Sequence, residues 1–140
     1  MTRQMTPIPK KKPVKRGQSA ASLKKKATTL HSMVVRARAG YRCERCGTTD
    51  GQLQCAHIVS RRYTATRVDP FNAWCLCASC HRRLTEHPDE HVQFAYATRG
   101  EHGYASLRAC AYAGRGVVMN AAFWSGQIAI LQAELDRLTR

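Results

Sequence analysis

Two C-x-x-C pairs are the residues in this sequence whose types and spacing most directly imply chemistry. Cys43 and Cys46 form the first pair, and Cys77 and Cys80 form the second. Such pairs suit a tetrahedral Zn²⁺ ion, because each short knuckle presents two thiolates to the same ion. We therefore predict one structural zinc site that uses all four of these cysteines.

Two histidines and an asparagine lie between and beside these pairs, and together they could act on a phosphodiester. Fourteen residues separate His57 from Asn72, and eight separate Asn72 from His81. A histidine has an ordinary pKa of about 6.5, so His57 can take a proton from water near neutral pH. A divalent ion held by His81 would stabilise the charge that develops on the phosphate.

These same residues carry a family resemblance. The string AHIVSRRYTATRVDPFNAWCLCASCHRRL resembles the HNH endonucleases, in particular the small zinc-bound forms common in bacteriophage genomes. The resemblance covers about residues 41–100 and implies a ββα-metal (HNH, His-Me) finger that hydrolyses DNA with Mg²⁺ or Mn²⁺. It also implies that His57 is the general base and that His81 binds the catalytic ion. Asn72 would fix the intervening loop and orient His57.

One position departs from the family pattern. Many HNH proteins carry an acidic residue or a second histidine directly before the general base, whereas this chain has Ala56. The ion would then need a ligand from elsewhere, and the candidates in the sequence are Asp69, Cys55 and His87. His87 follows His81 by six residues, so on one helix the two side chains would point about 240° apart.

The elements expected around the site give an α+β fold. The patterns predict a helix, two strands and two further helices, over residues 28–39, 52–59, 73–76, 81–86 and 88–100. Residues 28–100 would thus form the nuclease finger, clamped by zinc and flanked by helices. On the first helix, His31 is expected to lie at the surface.

The balance of charges points to a polyanionic partner. Lys and Arg number 23 and Asp and Glu number 9, so the net charge is +14 at pH 7, which favours DNA as the partner. Residues 1–27 hold nine of the positive charges and no acid, and we predict that they form a disordered basic arm that contacts phosphates. The side chains predicted to contact DNA are Arg61, Arg62, Arg67, Lys10, Lys11, Lys12, Lys24, Lys25 and Lys26.

Residues 101–140 are predicted to form a C-terminal helical extension. Helical patterns run over 104–113 and 118–138. The second helix could cover the finger, or it could dock a protein partner such as a phage packaging component. The sequence has no apolar run of membrane length and no signal peptide, so we expect a cytoplasmic protein with no membrane partner. In that reducing compartment three cysteines should be buried thiols: Cys55, Cys75 and Cys110.

Two other functions stay open on the sequence alone. The chain could be a zinc-stabilised module that binds nucleic acid without cutting it, and Ala56 is the main support for that alternative. It could also be an accessory protein of a larger machine that docks through its C-terminal helix. A cleavage assay with magnesium or manganese separates the enzyme from both.

Overall fold

The structure, a computed structural model, describes residues 17–140 as an α+β fold with four helices and one two-stranded sheet. The α+β class predicted from the sequence is thereby confirmed. In chain order the elements are α1 (Ala20–Arg38), β1 (Leu53–His57), a 3₁₀ turn (Pro70–Asn72), β2 (Ala73–Cys77), α2 (Ala78–Glu86), α3 (Pro88–Ala113) and α4 (Ala121–Leu138). Lys10, Lys11 and Lys12 lie outside the described residues, and so does the prediction of disorder for residues 1–16.

Helix α1 begins earlier than the sequence analysis predicted. It starts at Ala20 rather than near residue 28, so the last part of the predicted disordered arm is helical. Ser19 caps the helix, because its hydroxyl oxygen accepts a hydrogen bond from the Ser22 amide at 3.1 Å. Leu23 and Ala27 are buried, and this burial offsets the entropy lost when the lysine-rich segment becomes ordered. Lys24, Lys25 and Lys26 therefore belong to a folded helix.

The sheet has two faces, and each face packs against a different helix. Strands β1 and β2 are antiparallel, with Cys55 opposite Cys75 and Ala56 opposite Trp74. Because side chains alternate along a strand, Cys55 and Cys75 pack against Val35 of α1. Ala56 and Trp74 lie in the other core, which α2 and α3 cover with residues such as Leu84, Ala95 and Leu107.

Helix α4 packs against α1 and forms a second hydrophobic core with it. The buried members of this core are Leu23, Ala27, Leu30, Val34, Val68, Trp124, Leu131 and Leu135. The apolar stripe predicted on the C-terminal helix is therefore used within the fold, and α1 connects this second core to the sheet. The helix begins at Ala121 rather than at residue 118 because Asn120 caps it, accepting from the Phe123 amide at 2.9 Å.

Helix α3 is broken at Gly100, which has φ 75° and ψ 164°. This backbone conformation favours glycine. It separates the two helical segments that the sequence predicts over 88–100 and 104–113. The second half turns Leu107 and Ala111 into the core beside the sheet. Among residues 17–140, no helix is both long enough and apolar enough to cross a membrane.

Candidate functional site

The four cysteines predicted to bind zinc come together in the structure. The sulfur atoms of Cys43, Cys46, Cys77 and Cys80 all lie within 4.8 Å of one another. The sulfurs of Cys46 and Cys77 are 3.8 Å apart, and a tetrahedral zinc ion with sulfur bonds of about 2.3 Å requires a sulfur–sulfur distance of about 3.8 Å. The cluster thus suits a metal ion such as zinc, with two ligands from each C-x-x-C pair.

Local backbone structure presents these thiols to one point. In the first pair, a turn is closed by the Gly47 amide, which donates to the Cys43 carbonyl at 2.9 Å. In the second pair, Cys77 is the N-cap of α2, and its sulfur lies 3.4 Å from the Cys80 amide. This cap also starts α2 at Ala78, three residues before the predicted start at His81.

The four cysteines can all be thiolates only if a cation lies between them. Burial alone would raise the pKa of Cys43, but backbone amides of Cys46, Cys77 and Arg45 donate to its sulfur and bring that pKa down to about 6. Burial raises the pKa of the Cys80 thiol to about 12. Four thiolates at this spacing repel one another, and a divalent ion at their centre would remove the conflict.

His57 is held in one tautomer at the end of β1. Its Nε2 lies 2.8 Å from the carbonyl oxygen of Arg67, and a carbonyl only accepts, so Nε2 carries the hydrogen. The lone pair is then on Nδ1. Burial lowers the pKa of His57, and the charges of Arg67 and Arg61 lower it further. The ring is therefore neutral at pH 7, as a general base must be.

Asn72 is fully buried and fixes the loop that follows His57. Its amide nitrogen donates to the carbonyls of Val59 and Thr66 at 3.0 and 3.1 Å, and its amide oxygen accepts from the Val59 amide at 2.8 Å. These bonds hold both ends of the loop, and the bond to Thr66 lies directly before Arg67. Asn72 therefore acts on His57 indirectly: it holds the backbone next to Arg67, whose carbonyl accepts the hydrogen bond from the imidazole.

His81 is the fourth residue of α2, and its ring is oriented by Gln54 of β1. The Nδ1 atom lies 2.7 Å from the side-chain oxygen of Gln54. Because that oxygen only accepts, Nδ1 carries the hydrogen and the lone pair is on Nε2. Sequence reasoning missed Gln54, since only the strand register brings it opposite Leu76 and near the start of α2.

The two histidines lie on either side of β1. Gln54 and His57 are three residues apart on the strand, so their side chains point to opposite faces. His57 faces α1, and His81 lies on the other side with Gln54. They are nevertheless close enough that a positive charge on His81 lowers the pKa of His57.

The candidates for the ligand missing at Ala56 are engaged elsewhere. The Asp69 carboxylate accepts from the Phe71 amide at 2.9 Å. The Cys55 sulfur lies 3.7 Å from His31, on the face away from α2, and the Nδ1 of His87 lies 3.8 Å from Glu90. Among residues 17–140, the side chain hydrogen-bonded to the His81 ring is Gln54.

His31 is buried beside His57, so the prediction that it lies at the surface was wrong. It is 1% exposed, and its ring centroid lies 5.3 Å from that of His57. Its Nε2 donates to the Asp69 carbonyl at 3.0 Å, and its Nδ1 faces the Cys55 sulfur at 3.7 Å. The residues that make these contacts are distant in sequence, and the helical pattern of α1 gave no sign of them.

Of the three cysteines predicted to be buried thiols, Cys75 is buried, Cys55 is half-buried and Cys110 is exposed.

Protonation of His31 should destabilise the protein between pH 6.5 and 4. Burial lowers the pKa of His31 to about 4, so across this range the unfolded chain binds more protons than the folded one. The free energy of unfolding should fall as the pH falls, by at most about 3 kcal/mol. The measurement is urea unfolding at pH 7, 6 and 5 of wild type and of His31→Gln, which keeps a donor but does not titrate.

The His31→Gln variant should lose less stability on acidification than wild type. His102, an exposed histidine on α3, provides the control, since His102→Gln should follow the wild-type curve. Equal pH dependence in all three proteins would contradict a neutral, buried His31. Loss of a metal ion from the four-thiol cluster in acid would affect all three proteins alike.

Basic side chains surround Arg67, the residue whose carbonyl accepts from His57. The Nε atom of Arg67 is buried and has no hydrogen-bond partner within residues 17–140, while its NH1 donates to the Arg61 carbonyl at 3.2 Å. Lys24 and Lys25 of α1 line a groove of about 290 Å³ together with Arg67. Lys26 is exposed outside this groove, and Arg62 is exposed beside Tyr63, to which it donates at 2.9 Å. Arg67 thus adds its positive charge to that of Lys24 and Lys25 along one groove.

Comparisons with protein-family models, with curated proteins and with solved structures found no match to this chain. The function must therefore be inferred from the geometry of the residues themselves. That geometry comprises a four-thiol cluster, a neutral histidine with its tautomer fixed, a second histidine whose Nε2 carries the lone pair, and a groove lined by Arg67, Lys24 and Lys25.

Proposed function

We propose that this protein is a metal-dependent endonuclease of the HNH type that hydrolyses phosphodiester bonds of DNA. The observation that carries the proposal is the bond from His57 Nε2 to the Arg67 carbonyl at 2.8 Å. It leaves a neutral Nδ1 beside cationic groups, the arrangement needed to deprotonate water next to a phosphate. In this proposal β1, β2 and α2 form the ββα-metal finger, and zinc on the four cysteines holds its two ends together.

The chain's own residues would act as follows. His57 Nδ1 accepts a proton from the water that attacks phosphorus, and the resulting imidazolium is held by the Arg67 carbonyl. The Arg67 guanidinium, which lines the groove with Lys24 and Lys25, would add positive charge beside the phosphate. His81 would bind Mg²⁺ or Mn²⁺ through Nε2, and such an ion supplies charge stabilisation for the leaving oxygen. Gln54 keeps His81 in the required tautomer.

Cleavage of supercoiled plasmid tests the proposal. Purified protein should convert the plasmid to nicked or linear forms with magnesium or manganese, and a chelator should stop the reaction. The zinc content must be measured in the same preparation, so that inactivity caused by zinc loss is recognised. Fully zinc-loaded, folded protein that cuts no plasmid under either ion would overturn the proposal.

Lys25 should make one specific contact with the DNA backbone. It lines the groove beside Arg67, whereas its neighbour Lys26 does not. Lys25→Gln should therefore lower the affinity for duplex DNA and reduce the slope of log affinity against log salt by about 0.9, the value for one phosphate contact. Fluorescence anisotropy at several salt concentrations measures both quantities.

Lys26→Gln is the matched control for this experiment, because it removes the same charge from the same helix. Its salt slope should stay closer to wild type. If both variants lose the same affinity and slope, the lysines act only through net charge, and the groove is no phosphate site.

A deletion that tests the predicted basic arm should end at residue 16, because Ser19 caps α1 and Leu23 is buried in the core.

A second function is favoured by one observation. Ala56 is 3% exposed and packs in the core with Trp74 and Leu76, so the position that carries a metal ligand in many HNH proteins is apolar. A zinc-stabilised module that binds DNA without cutting it would need no such ligand. Such a module would bind DNA with the salt dependence of phosphate contacts while the plasmid stays intact.

A packaging partner docked on α4 would have to use the side away from α1, where Ile130 is 62% exposed.

A further inference from the structure

An aromatic and basic groove lies on the side of the fold opposite α1. It consists of two adjoining hollows of about 320 and 270 Å³ that share Arg62 and Tyr63. The other side chains that give the groove its character are Tyr104, Arg108, Tyr112 and Arg115. No Asp or Glu is among the residues that line either hollow.

The tyrosines and arginines of this groove are stacked on one another. Tyr63 and Tyr112 meet edge to face, with ring centroids 5.2 Å apart. The guanidinium of Arg62 lies 4.9 Å from the Tyr63 ring centroid. Arg108 lies 5.6 Å from Tyr104 and 5.8 Å from Tyr112. These contacts hold flat side chains in place before a ligand arrives, which lowers the entropy cost of binding one.

The groove begins at the residue next to the candidate general base. Ile58, Val59 and Ser60 line it, and they follow His57 directly in the chain. His91 of α3 donates from Nε2 to the Ile58 carbonyl at 2.8 Å. This bond fixes the backbone against the first half of α3, and the second half, after Gly100, carries Tyr104 and Arg108. The groove is thus joined to the candidate site through one backbone segment, although the His57 side chain itself faces α1.

We propose that the groove binds unpaired nucleotides of a single-stranded DNA segment. This inference rests on the proposed function, whose substrate it narrows. Aromatic rings and guanidinium planes bind the faces of bases, and arginines bind phosphates. In a duplex the base faces are covered by their neighbours, so a stacking surface of this kind favours single strands. The substrate class is therefore DNA with an unpaired segment, such as an overhang or a displaced strand.

Binding of three fluorescent oligonucleotides tests this inference. They are a single strand, a blunt duplex of the same sequence, and that duplex with a single-stranded overhang. All proteins carry His57→Ala, so that binding is measured by anisotropy without cleavage. Tyr112→Ala and Tyr63→Ala should each weaken binding to the single strand and the overhang by about 5- to 150-fold, the effect of one stacked base. Affinity for the blunt duplex should change little.

Two variants serve as controls. Tyr63→Phe keeps a stacking ring and should retain most of the affinity for the single strand. Tyr41→Ala removes a tyrosine that is 57% exposed near the first cysteine pair, outside the groove, and should bind all three oligonucleotides like the parent. Tyr112 is 43% exposed, so Tyr112→Ala remains informative if Tyr63→Ala does not fold.

The groove assignment is overturned if the tyrosine variants lose no affinity, or if they lose single-strand and duplex affinity equally. The outcome is distinguishable from failure of the proposed function, because the assay needs no cleavage. A protein that never cuts plasmid but loses single-strand affinity in Tyr112→Ala would refute the nuclease and retain the groove.

Discussion

Replacing His57 with alanine should lower the rate of DNA cleavage by about 10²–10⁴-fold while DNA affinity stays nearly unchanged. The factor is the usual contribution of a general base. The imidazole accepts its proton only as the transition state forms, so its loss raises the barrier without weakening ground-state binding. The measurement is single-turnover cleavage of plasmid at saturating magnesium, with anisotropy for binding. A His57→Ala protein that cuts as fast as wild type would refute the mechanism.

Two comparisons separate a base from a metal ligand in this experiment. His81→Ala should also lose cleavage, but a higher metal concentration should restore part of it, whereas His57→Ala should not respond to the ion. His102→Ala, at an exposed position on α3, should cut like wild type.

The pH profile gives a readout that a purely structural role of His57 would not produce. Burial lowers the pKa of His57 below its ordinary value of about 6.5. Protonated His57 cannot accept a proton, so cleavage should hold its plateau down through pH 6.5 and fall only as the pH drops through the lowered pKa.

Much of the candidate site was predictable because its signals are local in the sequence. A C-x-x-C pair carries its own turn, and the two pairs converge as expected, within 4.8 Å. The strand predicted over 52–59 is present as Leu53–His57, and the second strand is present as Ala73–Cys77. The family resemblance also implied a loop role for Asn72, and its side chain makes three hydrogen bonds to that loop.

The parts that were not predictable depend on contacts between distant segments. His31 contacts Asp69, 38 residues away, and Gln54 contacts His81, 27 residues away. The start of α1 was missed because nine positive charges in residues 1–27 favour disorder unless a partner helix covers Leu23 and Ala27. That partner is α4, nearly a hundred residues further on in the chain. The stacked groove likewise joins Tyr63 to Tyr112, which no local pattern indicates.

Removing one zinc ligand should unfold the finger. In zinc-finger peptides a structural zinc contributes about 10–16 kcal/mol to folding, which is as large as the whole stability of a typical domain, about 5–15 kcal/mol. The first cysteine pair is also tied to β2, because the Glu44 amide donates to the Cys75 carbonyl at 2.9 Å. The Glu44 carboxylate accepts from the Cys75 amide in return. Without the ion these two hydrogen bonds alone would have to hold the first cysteine pair against β2.

Cys43→Ser should therefore release zinc and expose the core beside the sheet. Trp74 reports on that core and Trp124 on the core between α1 and α4. The experiment therefore uses Trp124→Phe, which leaves Trp74 as the single tryptophan. In this background, Cys43→Ser or a strong chelator should shift the emission of Trp74 to the red, and elemental analysis should show less than one zinc per chain. Cys110→Ser is the matched control, since Cys110 is exposed and outside the four-thiol cluster. It should keep both the metal and the emission of a buried tryptophan. Retention of one zinc and of buried Trp74 in Cys43→Ser would show that the cluster does not hold this fold together.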